Sequence, residues 1–264
     1  MPKVTANGVE IAYNDQGSGD TTIVLVHGFP LDKSMWDAQV AGLSGEFRVI
    51  TPDLRGHGES QVTPGPYTME LLADDLKGLL DALNLDKVAL GGFSMGGYVV
   101  FAFLRKYADR VGSLLLLDTR PQPDSDEAKA GREGMAQLAE SEGAAPIAER
   151  LVPRLLAEAT VANRQDVVDR VTAMITGCPV EGIAGDLRGM ALRGDSTDLL
   201  AGIGVPTLLV VGDQDVITPP AESQMMASTI PNAQLVEISG AGHLSNLEDP
   251  DAFTAAIHDF LHTH

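Results

Sequence analysis

The chain has 264 residues, 44% of them hydrophobic and 21% charged, which suits one large globular domain or one domain carrying an insertion. Its 18 basic and 37 acidic residues leave a net charge of −19, which argues against nucleic acid or an anionic membrane as partner, because both would repel it. A single cysteine, Cys178, excludes an intramolecular disulfide, and no apolar run approaches the length of a membrane span.

The segment Met1–Ala6 carries no apolar signal-peptide core, so a cytoplasmic location is expected. The chain then reads as a hairpin. Val4 and Ala6 lead into Asn7-Gly8, the pair that favours a two-residue turn, and Val9 to Tyr13 alternate as a strand does. Ile23–Val26 is a short continuous apolar run, as in a strand buried on both faces of a parallel sheet. Val49-Ile50 and Val88–Leu90 are weaker members of that set, and Leu114–Leu117 and Leu208–Val211 are strong ones. Thr68 suits the N-cap of a helix whose apolar stripe runs through Met69, Leu72, Leu76, Leu79 and Leu83. Residues 95–107 are apolar nearly all round, as in a central buried helix. Thr218-Pro219 and Asp249-Pro250 read as N-cap and first-turn proline of two late helices.

This strand–helix alternation implies a doubly wound, mostly parallel α/β sheet. Residues 120–195 interrupt it with a charged, alanine-rich helical stretch. The expected organisation is a core over 1–119 and 196–264, with a helical cap over 120–195.

Gly92-Phe93-Ser94-Met95-Gly96 fits G-x-S-x-G at a strand-to-helix turn. Such a turn strains the serine backbone, and small residues two before and two after let neighbouring chain pass. The hydroxyl then stands at the carboxyl edge of the sheet, where α/β folds bind ligands. Serine needs a base. Gly240-Ala241-Gly242-His243 follows the strand Gln234–Ile238, which makes His243 the candidate. The acid is expected at Asp215, with Asp118 and Asp213 as alternatives at neighbouring strand ends. Two backbone donors for an oxyanion are expected from Met95 and from Phe29 in His27-Gly28-Phe29-Pro30. Pro30 has no N–H, and its ring would stiffen that loop; His27 would fix it.

With these pieces and Pro52-Asp53-Leu54-Arg55-Gly56-His57-Gly58-Glu59-Ser60 in order, the chain resembles the α/β-hydrolase superfamily along nearly its whole length. It is most similar to the group of 3-oxoadipate enol-lactonases, arylesterases and cofactor-free haloperoxidases. The resemblance implies an α/β-hydrolase fold of about eight strands with an inserted helical cap. It also implies a Ser94–His243–Asp215 triad and neither metal nor organic cofactor, with Arg55 and His57 structural. Metal chemistry is further disfavoured by the lack of H-E-x-x-H and C-x-x-C.

The expected activity is hydrolysis of small or medium neutral carboxylic esters by a monomer or homodimer. A lactonase with an anionic substrate, perhydrolysis as a side activity and a slow-turnover receptor are the alternatives. Pro30, Trp36, Arg120 and Met135 are the expected substrate contacts. Met35, Leu138, Met174, Ile175 and Met190 are further candidates for an apolar lining. Arg120 either holds a substrate carboxylate or pairs with the acidic stretch Asp124–Glu127.

Overall fold

The computed structural model describes residues 2–263. Eight strands form one sheet in the order β1-β2-β4-β3-β5-β6-β7-β8. In chain order they are β1 (Lys3–Ala6), β2 (Val9–Gln16), β3 (Thr22–Val26), β4 (Arg48–Pro52), β5 (Val88–Phe93), β6 (Val111–Leu117), β7 (Thr207–Gly212) and β8 (Ala233–Ile238). The first pairings, β1 with β2 and β2 with β4, are antiparallel. From β4 onward every pairing is parallel. Asn7 and Gly8 both take positive φ, as the turn between β1 and β2 requires.

Every residue of β5 and β7 is buried, so both faces of the central sheet are covered. This is why those strands read as unbroken apolar runs. The edge strand β8 is only partly buried, and Gln234 and Glu237 break its apolar run.

The helices of the core are α1 (Asp37–Leu43), α2 (Met69–Ala82) and α3 (Met95–Tyr107). After β6 come α4 (Asp126–Glu142), α5 (Ala145–Leu155), α6 (Glu158–Asn163), α7 (Gln165–Gly177) and α8 (Val180–Leu192), a helical insertion between two adjacent strands. The chain closes with α9 (Pro220–Thr229), α10 (Ser245–Glu248) and α11 (Pro250–Thr263). No helix among the described residues is long and apolar enough to cross a membrane.

Thr68 caps α2 by accepting the Leu71 N–H, and Asp249 caps α11 by accepting the Ala252 N–H at 3.0 Å. Each such cap contributes about 1 kcal/mol. The stripe Met69, Leu72, Leu76 and Leu79 buries α2 against α3 and β1. Full burial of each such side chain contributes roughly 1.5–3 kcal/mol. One expected cap is corrected: α9 begins at Pro220 with Pro219 as its N-cap, so Thr218 caps nothing. Its hydroxyl is drawn to a buried carboxylate instead.

The Pro52–Ser60 stretch is a fastening. Asp53, fully buried, accepts from Lys33 N and Nζ and from Glu59 N. Arg55 grips Asp75 with Nε and Nη2. His57 meets Asp186 of α8 at 3.0 Å in a wholly buried contact that ties the core to the insertion. Burial, then the neighbouring His57, pushes His27 down to about 3. His27 is therefore neutral: Nε2 accepts the Leu54 N–H and Nδ1 donates to Gly28 O, which fixes the loop before Phe29.

Candidate active site

Ser94 sits between β5 and α3 with φ 51° and ψ −112°. A non-glycine residue there costs on the order of 1–3 kcal/mol and must be held by its surroundings. The hold is visible: Ser94 N donates to Leu117 O at 2.9 Å, while Gly97 N and Thr119 Oγ1 donate to Ser94 O. The flanking glycines are sterically required. A Cβ on Gly92 would stand 2.3 Å from Gly96 O, and one on Gly96 would stand 2.4 Å from Val26 O. Both obstacles are backbone, so neither can yield.

The loop after β8 brings His243 Nε2 to 2.8 Å from Ser94 Oγ. His243 Nδ1 lies 2.7 Å from Asp215 Oδ2, in the loop after β7. This assigns the Nδ1–H tautomer, with Nε2 free to accept. Asp215 also accepts the N–H groups of Ile217 (2.7 Å) and Thr218 (3.0 Å), and the Thr218 hydroxyl at 2.6 Å. Burial alone would raise its pKa, but the charge and hydrogen bond of His243, with the Thr218 bonds, bring it below its ordinary value.

The other two carboxylates have different employment. Asp213 accepts from Gly240 N at 2.8 Å and stays at the turn. Asp118, fully buried with φ 42°, accepts from Gly212 N and Ser245 Oγ. Burial, then the charge of Asp215, pushes its pKa well above the usual carboxylate range. The shift is in the direction that lessens repulsion between two adjacent buried carboxylates. Asp118, Asp215 and His243 lie as close together as metal ligands do, yet their facing atoms are already taken up in hydrogen bonds.

Glu248 of α10 braces the histidine loop. Its Oε1 accepts Gly242 N at 2.8 Å, and its Oε2 accepts Ala157 N of the insertion at 2.9 Å. Leu244 N donates to Leu155 O at 2.9 Å beside it.

Ser94 and His243 open onto a cavity of about 440 Å³. Phe29 and Met135 line it, as do Tyr98, Leu187, Met190 and Ile217. Met95 is the first residue of α3, so its N–H has no partner within the helix. Neither it nor Phe29 N has a backbone acceptor among the described residues. Three guanidinium groups, Arg120, Arg132 and Arg154, also reach the cavity, against one carboxylate, Asp124. Arg120 pairs with Asp124 at 3.4 Å, and its Nε is buried without a hydrogen-bond partner. Asp124 is shared with Arg132 and with Arg193 at 2.8 Å. Arg154 is exposed at the rim and has no carboxylate partner among the described residues.

Two expected contacts lie elsewhere. Trp36 is fully buried, edge-on to Phe93 at 6.0 Å and against Phe253, so it packs beneath the site rather than lining it. Pro30 is buried in the loop behind Phe29 and is not part of the cavity wall. Met35, Leu138, Met174 and Ile175 are likewise taken up in packing. Sequence reasoning missed Tyr98, Arg132, Arg154 and Leu187. A signal existed: Ala128, Gly131, Arg132 and Met135 share one face of α4 at helical spacing, small residues beside long ones.

A family model described as the alpha/beta hydrolase fold matches residues 21–250. A 3-oxoadipate enol-lactonase of Acinetobacter baylyi is 29% identical over 255 residues, 96% of this chain and 94% of the relative. A thermophilic esterase from Thermogutta terrifontis, solved with malate bound, superposes with a TM-score of 0.96 at 50% identity, covering 99% of this chain and 98% of that one. The enol-lactonase of Burkholderia xenovorans LB400 superposes with a TM-score of 0.92 at 34% identity, covering 98% and 99%.

Proposed function

The chain belongs to the α/β-hydrolase family, and from that premise we propose that it hydrolyses carboxylic esters through Ser94, His243 and Asp215, with residues 120–195 as the cap over the substrate. The observation that carries this reading is the continuous hydrogen-bonded chain from Ser94 Oγ through His243 to Asp215 at a strained turn opening on a cavity.

As Ser94 Oγ attacks the ester carbonyl, His243 Nε2 takes its proton. Asp215 keeps the imidazole in the right tautomer and stabilises the imidazolium. The N–H groups of Phe29 and Met95 bind the oxyanion, each contributing about 3–4 kcal/mol. His243 returns the proton to the leaving alcohol; water then attacks the acyl-Ser94 with His243 again as base, and the tetrahedral intermediate expels Ser94 Oγ, which takes the proton back from His243 as the acid leaves. Each step moves one proton and needs no cofactor.

A second reading concerns the substrate's charge. The excess of arginine over carboxylate around the cavity favours an ester or lactone carrying a carboxylate of its own. The malate bound to the Thermogutta esterase and the enol-lactonase relatives support the same reading.

The test is steady-state hydrolysis of p-nitrophenyl acetate, butyrate and octanoate. Wild-type turnover should fall by about 10⁶-fold in kcat in Ser94→Ala with an unchanged melting temperature. Wild-type turnover below about 0.01 s⁻¹ on every one of these esters and on a carboxylate-bearing p-nitrophenyl ester, or a Ser94→Ala variant that still turns over, would overturn the proposal.

A further inference from the structure

On the side of the molecule where α11 packs on α1, three side chains unrelated to the catalytic centre converge. His258 and His262 are one turn apart on α11, and their Nε2 atoms face each other at 3.1 Å. Glu46, in the loop after α1, reaches both: Oε1 lies 3.3 Å from His258 Nε2 and Oε2 lies 2.9 Å from His262 Nε2. Zinc bonded at about 2.0–2.1 Å to nitrogen and 2.0–2.2 Å to oxygen in a tetrahedron holds its ligand atoms roughly 3.3–3.5 Å apart. The two imidazole nitrogens stand 3.1 Å apart, a few tenths of an ångström from that, and Glu46 turns one oxygen to each, so it would bind through both oxygens or rotate to offer one.

We propose that Glu46, His258 and His262 form a surface site for a divalent transition metal of the zinc type, with water completing the coordination.

Three further observations support it. The Phe47 ring packs against both imidazoles, with centroids 6.1 Å and 5.6 Å away, which restricts their rotation and prepares the pair. Asp259 Oδ1 lies 3.5 Å from His258 Nδ1, where a carboxylate commonly orients a metal-bound histidine. The three ligands are half-exposed, so a hydrated cation can reach them, and the net charge of −19 raises its local concentration. Two imidazoles and one carboxylate select borderline metals over magnesium or calcium, which want oxygen. The bound ion would fasten the last helix to the loop after α1, joining residues 212 positions apart. The site shares no residue with the Ser94 centre, so it stands or falls independently of the hydrolase reading.

The experiment is calorimetric titration of chelator-stripped full-length protein with Zn²⁺, in parallel with thermal melts. Binding should saturate at one ion per chain. At free zinc near 100 times Kd the melting temperature should rise by roughly 5 °C. His262→Ala and His258→Ala should each abolish the saturable heat and the shift. Glu46→Gln should weaken binding at least tenfold, and Mg²⁺ should give neither signal. The histidine variants should keep wild-type melting temperature without metal, which separates ligand loss from misfolding. No saturable heat up to about 1 mM zinc, or binding undiminished in both histidine variants, would overturn the site and leave the cluster as a hydrogen-bonded His–His–Glu contact.

Discussion

At the carboxyl edge of the sheet, main chain limits what can stand around Ser94. Gly92 and Gly96 leave no room for a Cβ, three hydrogen bonds fix the Ser94 amide and carbonyl, and two N–H groups grip one oxygen of Asp215. Above it, α4 and α8 turn Arg132, Met135, Leu187 and Met190 to the cavity, Arg188 of α8 pairs with Glu133 and Glu140 of α4, and Asp124 just before α4 gathers Arg132 and Arg193. At Gly92 and Gly96 no side chain can be added without moving main chain. The roof's seat on the core is as tight, since a Cβ on Gly182 or Gly189 of α8 would strike Gly56 O or Tyr67 O, but its cavity-facing side chains are free of such main-chain limits. On the proposed function, the chemistry would fall to the part with fewer options and substrate selection to the cavity-facing side chains above it.

Substitutions on the two sides should therefore differ in kind as well as in size. The largest effect after loss of the serine is expected from Asp215→Asn. It keeps the shape but lets His243 adopt the wrong tautomer, so kcat should fall by about 10⁴-fold with KM little altered. A drop shared equally with KM would mean that the edge is not rigid in the sense argued. Arg154→Ala on the roof should raise KM for a carboxylate-bearing ester by roughly 10-fold and leave kcat and neutral esters untouched, the loss of one charge-assisted bond. Equal effects on charged and neutral esters would remove the arginines from substrate recognition.

The smallest effect is in acid. Burial opposes ionisation of Asp124, but the hydrogen bonds and charges of Arg132 and Arg193 overcome it and hold the carboxyl at about 2, below its ordinary 3.8. A depressed carboxylate stabilises the folded state above its unfolded pKa, and that contribution is lost as pH falls from about 3.8 toward 2. Denaturant titrations should show a shallower loss of stability over that window in Asp124→Asn than in the wild type. Parallel curves would mean that the roof's ion pairs add no net stability.

The same contrast explains what could be read from the sequence. The turn at Ser94 was legible because its geometry admits almost no residue but glycine at two places, and a glycine pattern survives in one dimension. The caps Thr68 and Asp249 were legible for a similar local reason. Thr218 was misread because the Thr-Pro signal is local, whereas its hydroxyl answers to Asp215, whose need for partners comes from burial. Trp36 looked like a pocket residue because a large aromatic beside a catalytic loop can serve either purpose; only packing against Phe93 and Phe253 decides it. Arg132 and Arg154 were missed because a charged residue on an amphipathic helix looks the same whether it faces solvent or a cavity. His258 and His262 could be paired by their spacing, but Glu46 could not have been added without the fold.

The brace made by Glu248 bears on modularity. One carboxylate holds the histidine loop with one oxygen and the insertion with the other, and Leu155 lends its carbonyl to the same loop. The insertion is therefore not a detachable part. A chimera that carried α4–α8 to another core would bring donors and acceptors that expect residues 242–248, and a core stripped of its own insertion would leave Leu244 N and one oxygen of Glu248 unanswered. The unit that can be transplanted, by recombination or by design, is the insertion together with that short segment some 50 residues downstream.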